Sequence, residues 1–348
     1  MRRFPARPLW LIAAGACLLL AVLATDYYYS ATWGEGCARC HEIRPNFDSW
    51  KASTHRAMNC TECHSGSVRT NLRRVAKHLL EEPPERIQLQ TADVWPVMEK
   101  CIGCHRQEYA RWNAGRHAAD YQRIFANEDH NRKRQLVDDC LRCHGMHFEG
   151  SIYDLVEPAD RKGPWRIKAA GLANRPTIPC LSCHLIHRDG MPLKRASARI
   201  AVKEEMFRPS LGFFDRRARM NIVADILVVP AVYDGDRPIK ASPERRQALC
   251  YQCHAPLASG EVGSGDDRTP MGVHEGLGCL SCHDKHDLST RHSCAGCHPR
   301  LSNCGIDVEK MDTTFADPKS RHNIHWVKCT DCHPTGAPKK KPAGGAVR

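Results

Sequence analysis

Aromatic side chains are scarce in this sequence. Its 348 residues include 8 Phe, 8 Tyr and 7 Trp, together with 24 Gly and 22 Pro. A chain of this length ordinarily folds into two or three domains around side-chain cores. So few aromatic residues argue against a large side-chain core. The glycine and proline content predicts short helices joined by irregular loops.

The apolar run Leu9 to Thr25 is only 17 residues long, which is at the short limit for a helix that crosses a membrane. Three arginines lie among the first eight residues, and three tyrosines follow Asp26. This charge bias and this aromatic belt are typical of an anchor with a cytoplasmic N-terminus. The alternative is a cleavable signal peptide with a small-residue site at Val22 to Ala24.

Cysteine and histidine, by contrast, are abundant and regularly placed. Of 20 cysteines, 18 belong to nine copies of the pattern Cys-x-x-Cys-His. In a c-type haem attachment site, two thiols with this spacing bond the porphyrin and the adjoining His binds the iron. The sequence therefore predicts nine covalently attached c-type haems. The copies begin at Cys37, Cys60, Cys101, Cys140, Cys180, Cys250, Cys279, Cys294 and Cys329.

Zinc ligation, a disulfide framework and redox dithiols are the alternatives for such cysteine pairs. They do not require a His after the second Cys. Because 20 of the 348 residues are His, chance would place one there roughly one time in seventeen. It follows every pair, which favours haem.

The predicted site residues fall into two groups. The attachment cysteines are Cys37, Cys40, Cys60, Cys63, Cys101, Cys104, Cys140, Cys143, Cys180, Cys183, Cys250, Cys253, Cys279, Cys282, Cys294, Cys297, Cys329 and Cys332. The first axial ligands of the irons, here called the proximal histidines, are His41, His64, His105, His144, His184, His254, His283, His298 and His333.

Eleven further histidines remain as candidates for the second axial, or distal, position. An iron with two His ligands has no open position, so it exchanges electrons without binding substrate. Several of the eleven recur just before or after attachment motifs. We expect the distal ligands among His55, His117, His147, His187, His274, His286, His292, His322 and His325, and we set His78 and His130 aside.

Haem also changes the charge balance. The polypeptide carries a formal +12, which by itself suggests a nucleic-acid partner. Two propionates on each haem contribute about −18, and nine ferric irons return about +9. The holoprotein is then about +3 when oxidised and about −6 when reduced. We therefore expect no nucleic-acid partner, and we expect Arg and Lys to pair with propionates.

Part of the chain resembles the NapC/NirT family of membrane-anchored multihaem quinol dehydrogenases. The resemblance spans roughly residues 5–150 and is carried by Gly36–Arg44, Ser53–His55, Cys60–His64 and the motifs at Cys101 and Cys140. It implies that the first haem lies near the membrane and is reduced by quinol, and that His55 is a distal ligand. Ile43 stands where many members have Met. Separately, the string from Cys101 through Tyr109 and Trp112 to His117 looks like a pattern of multihaem cytochromes in which the later His is a distal ligand.

The motif spacing predicts the domain organisation. We expect a cytoplasmic N-terminus and anchor (1–30), a four-haem module (31–150), a five-haem region (151–337) with a haem-free insertion (188–249), and a basic disordered tail (338–348). Asn221 to Tyr233 is rich in Ile and Val and predicts a strand in the insertion. The expected fold is mainly α with much irregular loop, built around stacked haems, with one transmembrane helix.

These observations predict an electron carrier in the bacterial inner membrane with its haem domain in the periplasm. Its donor would be the quinol pool and its acceptor a periplasmic redox protein, and it could belong to a larger respiratory complex. Glu35, Glu42 and Asp48 are candidate proton acceptors by position. The competing hypothesis is a periplasmic reductase of nitrogen or sulfur oxyanions with one open haem. The sequence has no Cys-x-x-Cys-Lys variant.

Overall fold

The computed structural model describes most of the chain, with gaps. The described residues are 6–64, 72, 76, 78–81, 90–187, 211–254, 268–287, 290, 294–298 and 307–336. His292, the first part of the predicted insertion and the predicted basic tail lie outside them.

Contacts between Cα atoms divide the chain into two units. One comprises Met1–His105 with His184–Pro192, and the other comprises Arg106–Cys183 with Leu193–Arg348. The modules predicted from sequence have other boundaries, because they were drawn from the spacing of the haem motifs. The predicted domain organisation stays a prediction.

Four helices of the first unit are Ala6–Ala31 (α1), Arg44–Ala52 (α2), Cys60–Cys63 (α3) and Thr91–Cys104 (α4). A proline in the first turn of α2 is compatible with a helix start. Asn59 and Glu62 form a capping box that starts α3.

Helix α1 is longer than the apolar run. Residues Trp10–Ala31 form a 22-residue stretch of mean hydropathy 1.8. Such a helix is about 33 Å long, enough to cross a hydrocarbon core of roughly 30 Å. Its large apolar side chains, Leu18 and Leu19 among them, are exposed. Its length and composition fit a membrane anchor, and they fit a signal sequence equally well.

Helices of the second unit are short. They are Arg106–Ala114 (α5), Tyr121–Phe125 (α6), Glu128–Asn131 (α7), Cys140–Cys143 (α8), Ile152–Leu155 (α9), Gln247–His254 (α10), Cys294–Cys297 (α11) and Cys329–Cys332 (α12). Asp120 and Asn127 cap α6 and α7 by accepting hydrogen bonds from the backbone.

Six short strands form three antiparallel ribbons in the described residues: Val156–Glu157 (β1) with Arg166–Ile167 (β2), Gly212–Asp215 (β3) with Met220–Val223 (β4), and Tyr233–Asp234 (β5) with Arg237–Pro238 (β6). The predicted strand is therefore confirmed only at its two ends. A 3-10 turn, Ala224–Ile226, interrupts it, which allows the chain to fold back over β3. The mainly helical fold with irregular loops is confirmed.

Side-chain cores are small, as the scarcity of aromatic residues predicts. In the second unit, Phe213 and Phe214 of β3 pack with Met146, Leu227 and Ala248. This cluster joins the residues after the fourth haem motif to β3 and to α10, which carries the sixth motif. Cys253 of that motif packs against the cluster.

Candidate haem sites

Six of the motifs, at Cys60, Cys101, Cys140, Cys250, Cys294 and Cys329, lie in α-helical turns, whereas those at Cys37, Cys180 and Cys279 begin with a 3-10 turn. The backbone N–H of His64 donates to the carbonyl of Cys60 at 2.8 Å, and His105 bonds Cys101 in the same way. In such a turn, residues i, i+3 and i+4 share one face. Both thiols and the imidazole therefore lie together, as covalent attachment of a porphyrin requires. No disulfide joins the nineteen cysteines that the structure describes.

Within the described part of the chain, six proximal histidines face a second histidine. The distances between ring centres run from 5.7 to 6.5 Å. The pairs, proximal residue first, are His41–His78, His64–His187, His105–His55, His254–His117, His283–His325 and His298–His274.

These distances fit an iron held between two imidazoles. A metal–imidazole bond is about 2 Å long and the ring centre lies about 1 Å further, so two ligands of one metal have ring centres roughly 6 Å apart. Stacking or hydrogen bonding between imidazoles does not require this distance between ring centres, so it does not account for six pairs that share it. The residues present therefore fit haem with two axial His ligands.

The six pairs join distant parts of the sequence. His187 follows the fifth motif, yet its ring lies beside that of His64 in the second. His117 lies between the third and fourth motifs and faces His254 of the sixth. Five of the predicted distal candidates thus lie opposite a proximal His: His55, His117, His187, His274 and His325.

His78, which we set aside, also lies opposite a proximal histidine. Its ring centre lies 6.2 Å from that of His41, and its Nδ1 lies 2.6 Å from a carboxylate oxygen of Glu42. No motif precedes His78 closely in sequence, so neither spacing nor family pattern marks it. The one feature of the sequence that hints at such a contact is the acidic Glu42 directly after the proximal His41.

The other described distal candidates make different contacts. His147 is buried and stacks on Phe214 at 4.2 Å, and burial, followed by the charge of Arg219, lowers its pKa to about 3. His286 lies in the loop after the seventh motif, where its backbone N–H donates to Asp284. His322 hydrogen-bonds the carbonyl of Asp312 and faces no proximal ring within the described residues. Burial, followed by the charge of His130, which we set aside, lowers the pKa of His144.

Hydrogen bonds orient several of these rings. His274 Nδ1 lies 3.1 Å from the carbonyl oxygen of Ile324, and His325 Nδ1 lies 3.0 Å from Asn323 Oδ1. An acceptor at Nδ1 holds the proton there, which leaves Nε2 as the metal-binding atom. Ile324 bonds His274, which faces His298 of the eighth motif, and the next residue, His325, faces His283 of the seventh. One short segment therefore contacts the ligand positions of both motifs.

Burial keeps the candidate ligands neutral. It lowers the pKa of His55, His117 and His274, and that of His187 to about 4, in each case because water no longer solvates the charged ring. A histidine must be unprotonated at its metal-binding nitrogen, so this shift favours iron ligation at neutral pH.

Attachment thiols from different motifs meet in the second unit. The thiols of Cys253 and Cys143 share a hydrogen bond, as do those of Cys250 and Cys279. These bonds and burial raise the pKa of Cys253 and Cys250 well above the usual range. The sixth motif thus lies in contact with the fourth and the seventh.

The first two motifs lie next to the end of α1. Asn59 donates a hydrogen bond to the carbonyl of Ser30 at 2.6 Å. Gly34 has φ +84°, and a Cβ atom there would collide with the Cys60 thiol. Glycine is therefore required for this close approach. The arrangement places the first two motifs beside the candidate membrane helix.

A cleft of about 340 Å³ also lies in this region. Its lining is part aromatic and part charged: Trp33, Glu35, Phe47, Trp50, Lys51 and Arg56. Of the three candidate proton acceptors, Glu35 lines the cleft, Glu42 is buried beside His78, and Asp48 forms an exposed ion pair with Arg44 at 3.2 Å.

Two families of known cytochromes match parts of the chain. Residues 44–154 match the family model of the outer membrane cytochrome MtrC/MtrF-like domains II/IV. Residues 235–284 match the model of cytochrome c554 and c-prime. The chain is a multihaem c-type cytochrome. A search of curated proteins and a search of solved structures gave no match.

The matches refine the expectation from sequence. They span the motifs at Cys60, Cys101, Cys140, Cys250 and Cys279, and they support covalently bound c-type haem in an electron-transfer protein. They do not support the NapC/NirT family specifically. Each covers less than half of the cytochrome, so neither shows which family the whole chain belongs to.

Proposed function

We propose that this cytochrome carries electrons through nine haems from membrane quinol to a redox protein in the periplasm. The observation that carries the proposal is the set of six histidine pairs at the spacing of axial ligands. Haem supplies one-electron chemistry when it is bound. The motif cysteines would hold it covalently, and the paired histidines would leave the metal no open position for substrate.

The thiol contacts support a conduit. Cys143 and Cys253 belong to different motifs and share a hydrogen bond, as do Cys250 and Cys279. Each thiol marks the edge at which a porphyrin is attached. The fourth, sixth and seventh haems would therefore meet edge to edge, and close contact between edges favours electron exchange.

Quinol as the donor is supported by position and chemistry. The first two motifs lie beside the end of α1. The adjacent cleft combines the rings of Trp33, Phe47 and Trp50 with the carboxylate of Glu35. An apolar wall suits a quinol ring, and a carboxylate can accept the proton that quinol oxidation releases. We propose that α1 anchors the protein in the inner membrane.

Electron paramagnetic resonance of the oxidised protein, combined with haem quantitation, tests the haem assignment. We expect nine haems per chain, all with low-spin ferric iron. Reduction by a quinol analogue in detergent, with the Glu35→Gln variant as comparison, tests the donor. A high-spin iron that binds nitrite or sulfite would favour the reductase. A fully low-spin protein that quinol does not reduce would leave a conduit with another donor.

A further inference from the structure

Glu42 directly follows the proximal histidine of the first motif, and its side chain is buried. Only 7% of the residue is exposed. One carboxylate oxygen, Oε1, lies 2.6 Å from His78 Nδ1, while Oε2 lies 3.8 Å from His41 Nε2. Oε2 has no hydrogen-bond partner in the described part of the chain. A buried carboxylate is costly unless it has specific partners, and here these are the backbone N–H of Glu42 itself and the ring of His78.

His78 lies on the other side of the first haem site. Its ring centre is 6.2 Å from that of His41 and the two rings are inclined by 57°. This separation lies inside the range of the other five pairs. Residues 78–80 are helical, so His78 is presented by a helical turn, and the side chain of Glu42 reaches it from the motif itself.

A carboxylate at Nδ1 has two consequences for a histidine ligand. It holds the proton on Nδ1, so that Nε2 keeps its lone pair for iron. It also makes the imidazole a stronger electron donor, since metal-ligating histidines bonded to carboxylates are more basic. The acceptors at His274 and His325 are a neutral carbonyl and a neutral amide. They also hold the proton on Nδ1, but they increase the basicity of the imidazole less than a carboxylate does.

We propose that His78 is the sixth ligand of the first haem and that Glu42 is the positioning residue that orients it and lowers the reduction potential of that haem. The proposal rests on the function proposed above, since it requires haem at Cys37 and Cys40. It assigns a ligand where both the motif spacing and the family resemblance left the first haem without one.

Three substitutions in the full-length holoprotein test the ligand. His78→Ala should convert one of the nine ferric irons to high spin. His78→Met should instead give the near-infrared absorption band of a ferric iron bound by a thioether, and it keeps a ligand in place if the alanine variant does not fold. Asp93→Asn, which removes an acidic group in the first turn of α4 of the same unit, should change neither spectrum.

Glu42→Gln tests the positioning role, because an amide keeps the shape of the side chain and loses its charge. The variant should stay low-spin, while the midpoint potential of one haem rises. A tenfold loss of preference for ferric iron corresponds to about 59 mV for a one-electron couple. Asp93→Asn, which removes the same charge elsewhere in the first unit, should not shift that potential.

Specific results would overturn the proposal. If His78→Ala and His78→Met leave nine low-spin irons with the original bands, His78 is not a ligand. If Glu42→Gln becomes high-spin while His78→Ala does not, the carboxylate itself is the ligand. If Glu42→Gln changes no potential, it has no positioning role. A wild-type protein without nine haems would instead refute the proposed function, independently of these comparisons.

Discussion

The ring of His187 lies beside that of His64, with 5.7 Å between the ring centres, although the two residues belong to different haem motifs. His187 comes after the fifth motif and His64 ends the second. Both lie in the same structural unit. The chain thus returns to place a late histidine opposite the proximal histidine of an early motif.

Substitution of His187 should therefore affect the second haem and not the fifth. His187→Ala should turn one iron high-spin, because the imidazole opposite His64 is lost. Ile186→Ala, which shortens the preceding side chain and keeps the imidazole, is the matched control. Electron paramagnetic resonance measures both. Assignment of the new high-spin iron to the motif at Cys180 would contradict the pairing.

The acceptor at His325 should tune the seventh haem. Asn323→Asp replaces a neutral acceptor at 3.0 Å by a carboxylate, so it should lower the midpoint potential by roughly 59 mV if preference for ferric iron rises tenfold. Asn127→Asp adds the same charge at a helix cap of the second unit and controls for net charge. Redox titration followed by visible spectroscopy measures the shift. Equal shifts in the two variants would indicate a general charge effect.

Removal of α1 should separate anchoring from haem chemistry. A protein lacking residues 1–31 and exported by a cleavable signal should fractionate without detergent and retain its haem spectra, since the described motifs begin after this helix. It should lose reduction by membrane quinol. Fractionation, mass spectrometry and quinol assays test this. If the protein expressed from the complete sequence has a mature N-terminus directly after Ala24, the segment is a cleaved signal.

The cluster around β3 should be important for stability. Phe214 is 1% exposed and stacks on His147, so Phe214→Ala should lower the free energy of unfolding by about 3–5 kcal/mol. Tyr233→Ala, at a 58% exposed aromatic residue, should change it by less than about 1 kcal/mol. Denaturant midpoints of the holoproteins compare the two. Similar midpoints would show that the haems, and not this core, determine stability.

The strand prediction shows where local patterns lose information. Asn221 to Tyr233 reads as one run of β-branched residues, but Ala224–Ile226 turns and only Met220–Val223 pairs with β3. The partner strand, with its two phenylalanines, was not predicted. A two-stranded ribbon depends on packing against Met146 and Ala248, and sequence periodicity does not contain that contact.

The attachment residues follow from sequence alone, because their geometry is local. Two thiols and an imidazole at i, i+3 and i+4 share a face in an α-helical turn. The distal ligands are different, because each comes from a remote segment. By sequence we expected His322 as a distal ligand and set His78 aside, yet of the two only His78 faces a proximal ring within the described residues. The chain path decides that choice, since a sixth ligand must lie across the metal from the fifth, and only tertiary packing brings two distant segments to opposite sides of one site.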